Sequence, residues 1–205
     1  MSVQTFFPTR IYAAPLQRQP WKPFNDRLLR ECLQLAEDDG AGQRWSAKSY
    51  PGGYTSYGSV SRMQQLSPTF AKLEKLLNRH VAKYAAALEF DLTNRPLVMT
   101  DCWVNIMPQH VTHSLHLHPL STISGTYYVQ VPRGSPGLKF EDPRLERFMA
   151  APPRKADCAP ESRSWVTMPA AAGSLLLFES WLRHEVIANP VARDRISISF
   201  NYSWF

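Results

Sequence analysis

The sequence predicts a mainly β fold, an antiparallel sandwich or barrel of jelly-roll type, flanked by N-terminal helices. Two observations carry this expectation. From Leu97 onward the chain is a succession of short β-rich runs separated by Pro, Gly and Ser, about eight of them in roughly a hundred residues. Before that point, two segments space their apolar residues as helices do. At 205 residues the chain has the length of one domain, or of one domain with an appendage. One boundary is worth drawing, near residue 96. Residues 1–96 read as a helical and extended support region, and residues 97–205 as the β core of the same folded unit.

After a Pro-rich entry, QPWKPFN, the segment from Asp26 to about Asp38 sets Leu28, Leu29, Cys32, Leu33, Leu35 and Ala36 on one broad stripe. Asn25 is its expected N-cap, and Gly40 and Gly42 are expected to stop it. Gly52 to Ser59, GGYTSYGS, reads as a loop, because glycines and small hydroxyl residues favour turns. A second helix has Ser67 as cap and Pro68 at its first position, with Phe70, Leu73, Leu76, Leu77, Val81, Tyr84, Ala85 and Leu88 facing inward. His80 lies beside that stripe and reads as an ordinary helix residue. The expected strands are Val98–Met107, Ser114–His118, Ser124–Pro132, Leu138–Glu141, Trp165–Met168, Ser174–Glu179, Glu185–Ala188 and Arg195–Tyr202. Residues 144–164 mix charge, Ala and Pro without periodicity and read as a long surface loop, a candidate lid.

Composition bounds the function. With 44% hydrophobic and 12% aromatic residues, the chain can bury a sizeable core. Its formal charge of +6 is spread without a basic run, which mildly favours an acidic partner and argues against nucleic acid. Cys32, Cys102 and Cys158 are odd in number and form no CxxC pair, so a reducing cytoplasm is expected rather than a disulfide framework. The start, MSVQTFFPTRIY, breaks with Pro and Arg the apolar stretch a signal peptide needs, and no segment approaches membrane-helix length. No membrane partner is expected, and a homodimer is left open.

Histidine is the informative residue. Of six, His110, His113, His116 and His118 fall close together, while His80 and His184 stand alone. Strands alternate their side chains, so His116 and His118 point one way and Leu115 and Leu117 the other. Two imidazoles can thus meet one ion, and His184 is the only later histidine able to join them. Neutral imidazole suits first-row metals such as iron, zinc, copper or nickel. Since it ligates only when neutral, metal affinity is expected to fall below about pH 6. His110 and His113 read as loop or rim residues, His113 being the better candidate for contact with the site.

The last strand sorts in the same way. Arg195, Ser197, Ser199 and Asn201 share one face, opposite Ile196, Ile198, Phe200 and Tyr202. A guanidinium on the polar face can clamp a carboxylate, and a serine two residues on can add a donor. Ser124, Thr126, Tyr128 and Gln130 share a face on another strand, and Asn105 shares one with Trp103 and Met107. Tyr128 and Asn105 are therefore candidates for the same pocket. Glu141, Asp142 and Glu185 are the nearest acids. Glu185 should face away from His184, and Asp142 has Arg144 available as a partner.

The HxH pair, SGTYYV, GLKFEDPR, SLLLFES, the histidine of HEVIANP and the RISISFN strand together resemble the Fe(II)/2-oxoglutarate oxygenases. More narrowly, the chain is similar to the putative 2OG-Fe(II) oxygenase family, with prolyl-hydroxylase-like proteins as more distant relatives. The resemblance is strong over about residues 97–205 and weaker at FFPTRIY and GGYTSY. It implies a double-stranded β-helix of cupin-like form, with iron(II) on His116, His118 and His184. It also implies 2-oxoglutarate as cosubstrate, its far carboxylate on Arg195, assisted by Ser197 and Tyr128. Dioxygen and an unidentified substrate, hydroxylated with release of succinate and CO2, complete the expectation. The superfamily's usual motif is HxD or HxE, so His118 removes one negative charge from the ligand set. Two other readings stay open from the residues: a three-histidine dioxygenase of cupin type that does not use 2-oxoglutarate, and a non-catalytic barrel that binds a metal or anion.

Overall fold

The computed structural model describes residues 2–17 and 21–204; Gln19 and Pro20 of the Pro-rich entry lie outside the described residues. Two antiparallel sheets face each other. The larger orders its strands β1 (Ile11–Pro15), β8 (Ser174–Glu179), β5 (Ile123–Gln130), β10 (Arg195–Trp204), β3 (Leu97–Met107) and β2 (Tyr54–Thr55). The smaller orders β4 (His113–His116), β9 (His184–Val186), β6 (Leu138–Glu141) and β7 (Trp165–Met168). The strands expected from the sequence are β3 to β10, four to each sheet, which is the jelly-roll arrangement. The remaining two, β1 and β2, come from the N-terminal region and extend the larger sheet at its two edges.

Each face of the larger sheet has its own work, set by alternation along the strands. Ile196, Ile198 and Phe200 of β10, Val104 of β3 and Tyr127 of β5 pack outward into one apolar cluster with Leu28, Phe70, Leu73 and Leu77 of the helices. The opposite residues look inward at the smaller sheet. There Tyr128, Met107, Leu176 and Phe178 pack with Leu138, Phe140 and Val186 in a second cluster. The site described below lies in this inner layer.

The N-terminal region departs from expectation at three points worth noting. First, α1 spans Lys22–Asp38 and begins a turn earlier than expected, with Trp21 at its N-cap and Pro23 in the first turn, where no N–H is needed. Asn25 is thus inside the helix and buried. Its Nδ2 donates to the Val129 carbonyl at 3.0 Å, and its Oδ1 accepts from the Tyr127 hydroxyl at 2.8 Å. The register of β5 and β10 shifts beside Val129, so the amide satisfies a carbonyl at an irregular point of the ladder.

Second, Gly40 and Gly42 open a helix rather than end one. In α2 (Gly40–Ser49), Asp39 is the N-cap and its Oδ1 accepts from Gly42 N at 2.8 Å. A Cβ at Gly42 would lie 2.0 Å from Asp39 Oδ2, so only glycine permits this approach. Third, Tyr54 and Thr55 of the expected loop pair with Ile106 and Asn105 of β3.

Between them lies the short α3 (Met63–Leu66), and then α4 (Pro68–Ala87), which agrees with expectation. Ser67 Oγ accepts from Thr69 N and Phe70 N, and Pro68 follows it. Replacing Ser67 with Ala should cost about 1 kcal/mol of stability, read as a lower urea midpoint with unchanged m-value. On the other side of that helix, His80 is held by the Tyr12 hydroxyl and the Leu16 carbonyl, a structural role.

Residues 144–164 form a mostly exposed loop with two short 3-10 turns. Pro160 to Arg163 of this loop face a cleft of about 540 Å³ shared with residues 4–9 and 140–144. None of the six histidines lines that cleft, and no residue of 144–164 lines the cavities at the histidines. The loop is therefore not placed as a lid over the site. No helix among the described residues is long and apolar enough to cross a membrane.

Candidate metal centre

Strands β4 and β9 run antiparallel and set His116 directly opposite His184. The ladder is irregular and β9 is only three residues long, so β4 ends at His116 instead of reaching His118. A single hydrogen bond continues the alignment, His118 N donating to the Ser180 carbonyl at 2.9 Å. His118 thereby turns to the same side as His116.

The three side chains converge. His116, His118 and His184 each offer a ring nitrogen, and these nitrogens lie within 4.8 Å of one another. The Nε2 atoms of His118 and His184 are 3.3 Å apart. Two nitrogens at about 2.1 Å from one ion, separated by 90–110° at the ion, would be roughly 3.0–3.5 Å apart.

The tautomers fit as well. His116 Nδ1 lies 2.7 Å from the Ser114 carbonyl, and His184 Nδ1 lies 2.9 Å from the Leu182 carbonyl. A carbonyl only accepts, so both Nδ1 atoms carry the proton and both Nε2 lone pairs are free for a metal.

No carboxylate joins them. Glu141 pairs with Arg183 at 2.9 Å, Asp142 with Arg144 at 2.9 Å, and Glu185 with Lys139 at 2.7 Å. Among the described residues, the three histidines are the group gathered closely enough to hold an ion.

Burial keeps these rings neutral. It holds His184 down to about 2 and His118 to about 3, and places His116 below the ordinary value; mutual repulsion among the imidazoles adds to the effect at His118 and His184. Desolvation penalises the charged form of all three rings, so protonation competes with a metal at lower pH than it would for exposed imidazoles.

The same shift bears on stability. Folded values lie below the unfolded value near 6.5, so as pH falls the unfolded chain binds protons first. The contribution is fully present above about pH 6.5 and is lost progressively toward pH 3. The melting temperature of the metal-free protein should drop by at least about 5 °C between pH 7 and pH 5. An unchanged value would contradict neutral burial of the triad.

His113 belongs to the site more closely than its loop setting suggested. Its ring stacks on His116 at 4.7 Å and approaches Tyr50 at 5.1 Å, and burial lowers it to about 3. His110 sits at a turn with φ 68°, its N donating to the Asn189 carbonyl, on the rim of the outer cleft.

Behind the histidines the inner cavity is floored by β10 and β3. Arg195, Ser197 and Asn105 line it, as alternation predicted. Arg195 is only 3% exposed. Its Nε donates to the Pro136 carbonyl at 3.1 Å, its Nη1 to Ser197 Oγ at 3.5 Å, and its guanidinium lies over the Tyr128 ring at 5.1 Å. Among the described residues no acid pairs with it.

Tyr128 lies opposite Ser197 in the ladder, beneath the Arg195 guanidinium, but is not among the residues lining the cavity; its buried hydroxyl has no hydrogen-bond partner of normal geometry among the described residues, and burial pushes its pKa up, so it stays a donor. Asn105 Nδ2 donates to Ser199 Oγ at 3.0 Å, while its Oδ1 is buried without a donor. A buried cation without an acidic partner is costly unless a ligand neutralises it. An anion fits the Arg195 guanidinium, whereas the Asn105 oxygen, an acceptor, needs a donor instead. Gln130, by contrast, faces Ile196 across the register shift and bonds to the Asp194 carbonyl.

Toward solvent His113, His116 and His118, but not His184, open on a cleft of about 490 Å³. Trp45 of α2, Tyr50, Tyr57 and Trp103 form its aromatic walls. Trp45, Tyr50 and Tyr57 had no role in the sequence reading. Their only signal was the density of aromatics around the GGYTSY loop.

The model of the family described as "Putative 2OG-Fe(II) oxygenase" matches residues 101–201, which run from β3 through most of β10 and include all three histidines. The β core of the chain belongs to the 2OG-Fe(II) oxygenase family. As an oxygenase of this family it is an oxidoreductase that uses iron(II) and 2-oxoglutarate. The matched family describes neither a dioxygenase that does without 2-oxoglutarate nor a non-catalytic barrel.

Solved structures of the same fold include SnoN, a non-heme alpha ketoglutarate dependent epimerase from nogalamycin biosynthesis, at 16% identity and TM-score 0.67, covering 96% of this oxygenase and 77% of that chain. HygX from Streptomyces hygroscopicus, with nickel, 2-oxoglutarate and hygromycin B bound, gives 15% identity and TM-score 0.63 over 96% and 83%. A prolyl-4-hydroxylase of Pseudomonas putida gives 16% and 0.55 over 95% and 92%. No curated protein matches the sequence.

Proposed function

We propose that His116, His118 and His184 hold iron(II), that Arg195 receives the far carboxylate of 2-oxoglutarate, and that the enzyme hydroxylates an organic substrate entering by the aromatic cleft. The observation that carries this reading is Arg195, a buried guanidinium without an acidic partner among the described residues, on the floor of the cavity that the histidines cap. Bound together, iron(II) and 2-oxoglutarate supply the oxidation: with O2 and a substrate C–H they yield C–OH, succinate and CO2.

The protein's own groups bind and orient. Arg195 neutralises the carboxylate, while the Tyr128 hydroxyl and Ser197 Oγ donate to it. Ser199 Oγ can donate as well as accept, so a half-turn of the Asn105 amide would bring its NH2 into the cavity and satisfy its oxygen from Ser199. Ser114 and Leu182 carbonyls fix the His116 and His184 rings, and the stacked His113 ring restrains His116 further. Phe178 and Phe140 flank His184 at 4.5 Å and 5.9 Å and help exclude water. Cys32, Cys102 and Cys158 are all free thiols, which supports a reducing, cytoplasmic setting.

Succinate release measured by mass spectrometry tests the reading. It should require both Fe(II) and 2-oxoglutarate and vanish in a folded His116→Ala variant. Succinate formed at the same rate without added or residual iron would overturn it.

A further inference from the structure

The net charge of +6 suggested an acidic partner, yet none of that charge reaches the place where a substrate must sit. Five residues, Tyr50, Trp103, His113, His116 and His118, line both the inner cavity and the outer cleft, so the cleft is the approach to the histidines. Among the described residues, no Asp, Glu, Lys or Arg lines it. Its volume of about 490 Å³ lies within the range of sites that enclose drug-sized ligands.

The walls are a run of rings leading inward. Trp45 and Tyr57 meet at 6.2 Å, Tyr57 and Trp103 at 5.1 Å, and Trp103 reaches the His118 ring at 5.7 Å. Successive planes are tilted by 65°, 61° and 41°, which leaves faces and edges available to a flat guest. Ser49 and Thr112 add neutral polar groups to the lining, enough to orient a hydroxyl or carbonyl.

Charge on the guest is disfavoured in either sign. An anion would lose its hydration with no cation in the walls to replace it. A cation could find the aromatic faces, but it too would lose its hydration, with no carboxylate among the described residues of the walls to replace it.

We infer that the substrate is an uncharged small molecule built on flat rings, taken into the aromatic cleft above the three histidines. This rests on the proposed metal centre for where the reaction happens, and on the cleft alone for the class of molecule.

Three probes with one ring system separate the classes: neutral 2-acetylnaphthalene, anionic 2-naphthoate and cationic 2-naphthylmethylammonium. Ligand-observed NMR titrations would be run with 2-oxoglutarate present, first without metal and then with Zn(II) replacing iron. The neutral probe should bind at least tenfold more tightly than either charged probe in the metal-free form, where no ion draws the carboxylate of 2-naphthoate, and should still bind in the Zn(II) form. Tyr57 is half-exposed, so Tyr57→Ala should leave the fold intact and weaken the neutral probe at least fivefold, with Tyr57→Phe restoring it. A charged probe that binds as well as the neutral one in the metal-free form, or a neutral probe indifferent to Tyr57→Ala, overturns the inference. Failure of Zn(II) to bind would count against the metal centre, while the metal-free comparison of neutral and charged probes still decides the cleft.

Discussion

Arg195→Leu should raise the KM for 2-oxoglutarate by about two to four orders of magnitude while leaving metal affinity within about threefold. Removing one partner of a buried ion pair costs about 3–5 kcal/mol, and each 1.4 kcal/mol is a factor of about ten. Stability should change little, because the lost bond from Nε to the Pro136 carbonyl is offset by removal of a buried charge that has no acidic partner among the described residues. Steady-state succinate release against 2-oxoglutarate concentration measures the first effect, and a metal titration the second. A KM unchanged in a folded variant would place the cosubstrate carboxylate elsewhere.

His184→Ala should weaken Fe(II) binding by at least about a hundredfold. Loss of a group that only orients a ligand already costs 10–100-fold, and His184 is a proposed ligand with its free Nε2 aimed at the other two. Anaerobic titration of the metal-free protein with Fe(II) would read the change directly. Circular dichroism and a melting curve serve as the control for folding, since His184 is buried against Phe178. Retained affinity would mean that His116 and His118 find their third partner in another side chain.

Much of the β core was legible because its strands are short, alternating and bounded by turn residues. Leu138–Glu141, Trp165–Met168 and Ser174–Glu179 have the bounds the sequence suggests. The polar face of β10 was legible for the same reason, a period of two that separates Arg195 and Ser197 from Ile196 and Ile198 wherever the strand lies.

The N-terminal third was less so. Asn25 has the side chain of a cap, but the Tyr127 hydroxyl and Val129 carbonyl of a distant strand draw it into a helix interior. Gly40 and Gly42 have the look of a helix stop, yet Asp39 closes over Gly42 and starts another. Local propensity is weak where a long-range partner offers a better bond.

By itself the sequence determined the parts of the proposed site: two histidines two residues apart, a later third, and an arginine on the polar face of the last strand. Those follow from chain geometry over a few residues. Only the tertiary structure decided that His116 stands opposite His184, that no carboxylate takes a place beside them, and that burial holds the rings neutral. It also decided the character of the entrance. Trp45, Tyr50 and Tyr57 approach Trp103 only because α2 and β2 are laid against β3, and contacts between segments so far apart in the chain are set by the packing of the whole core.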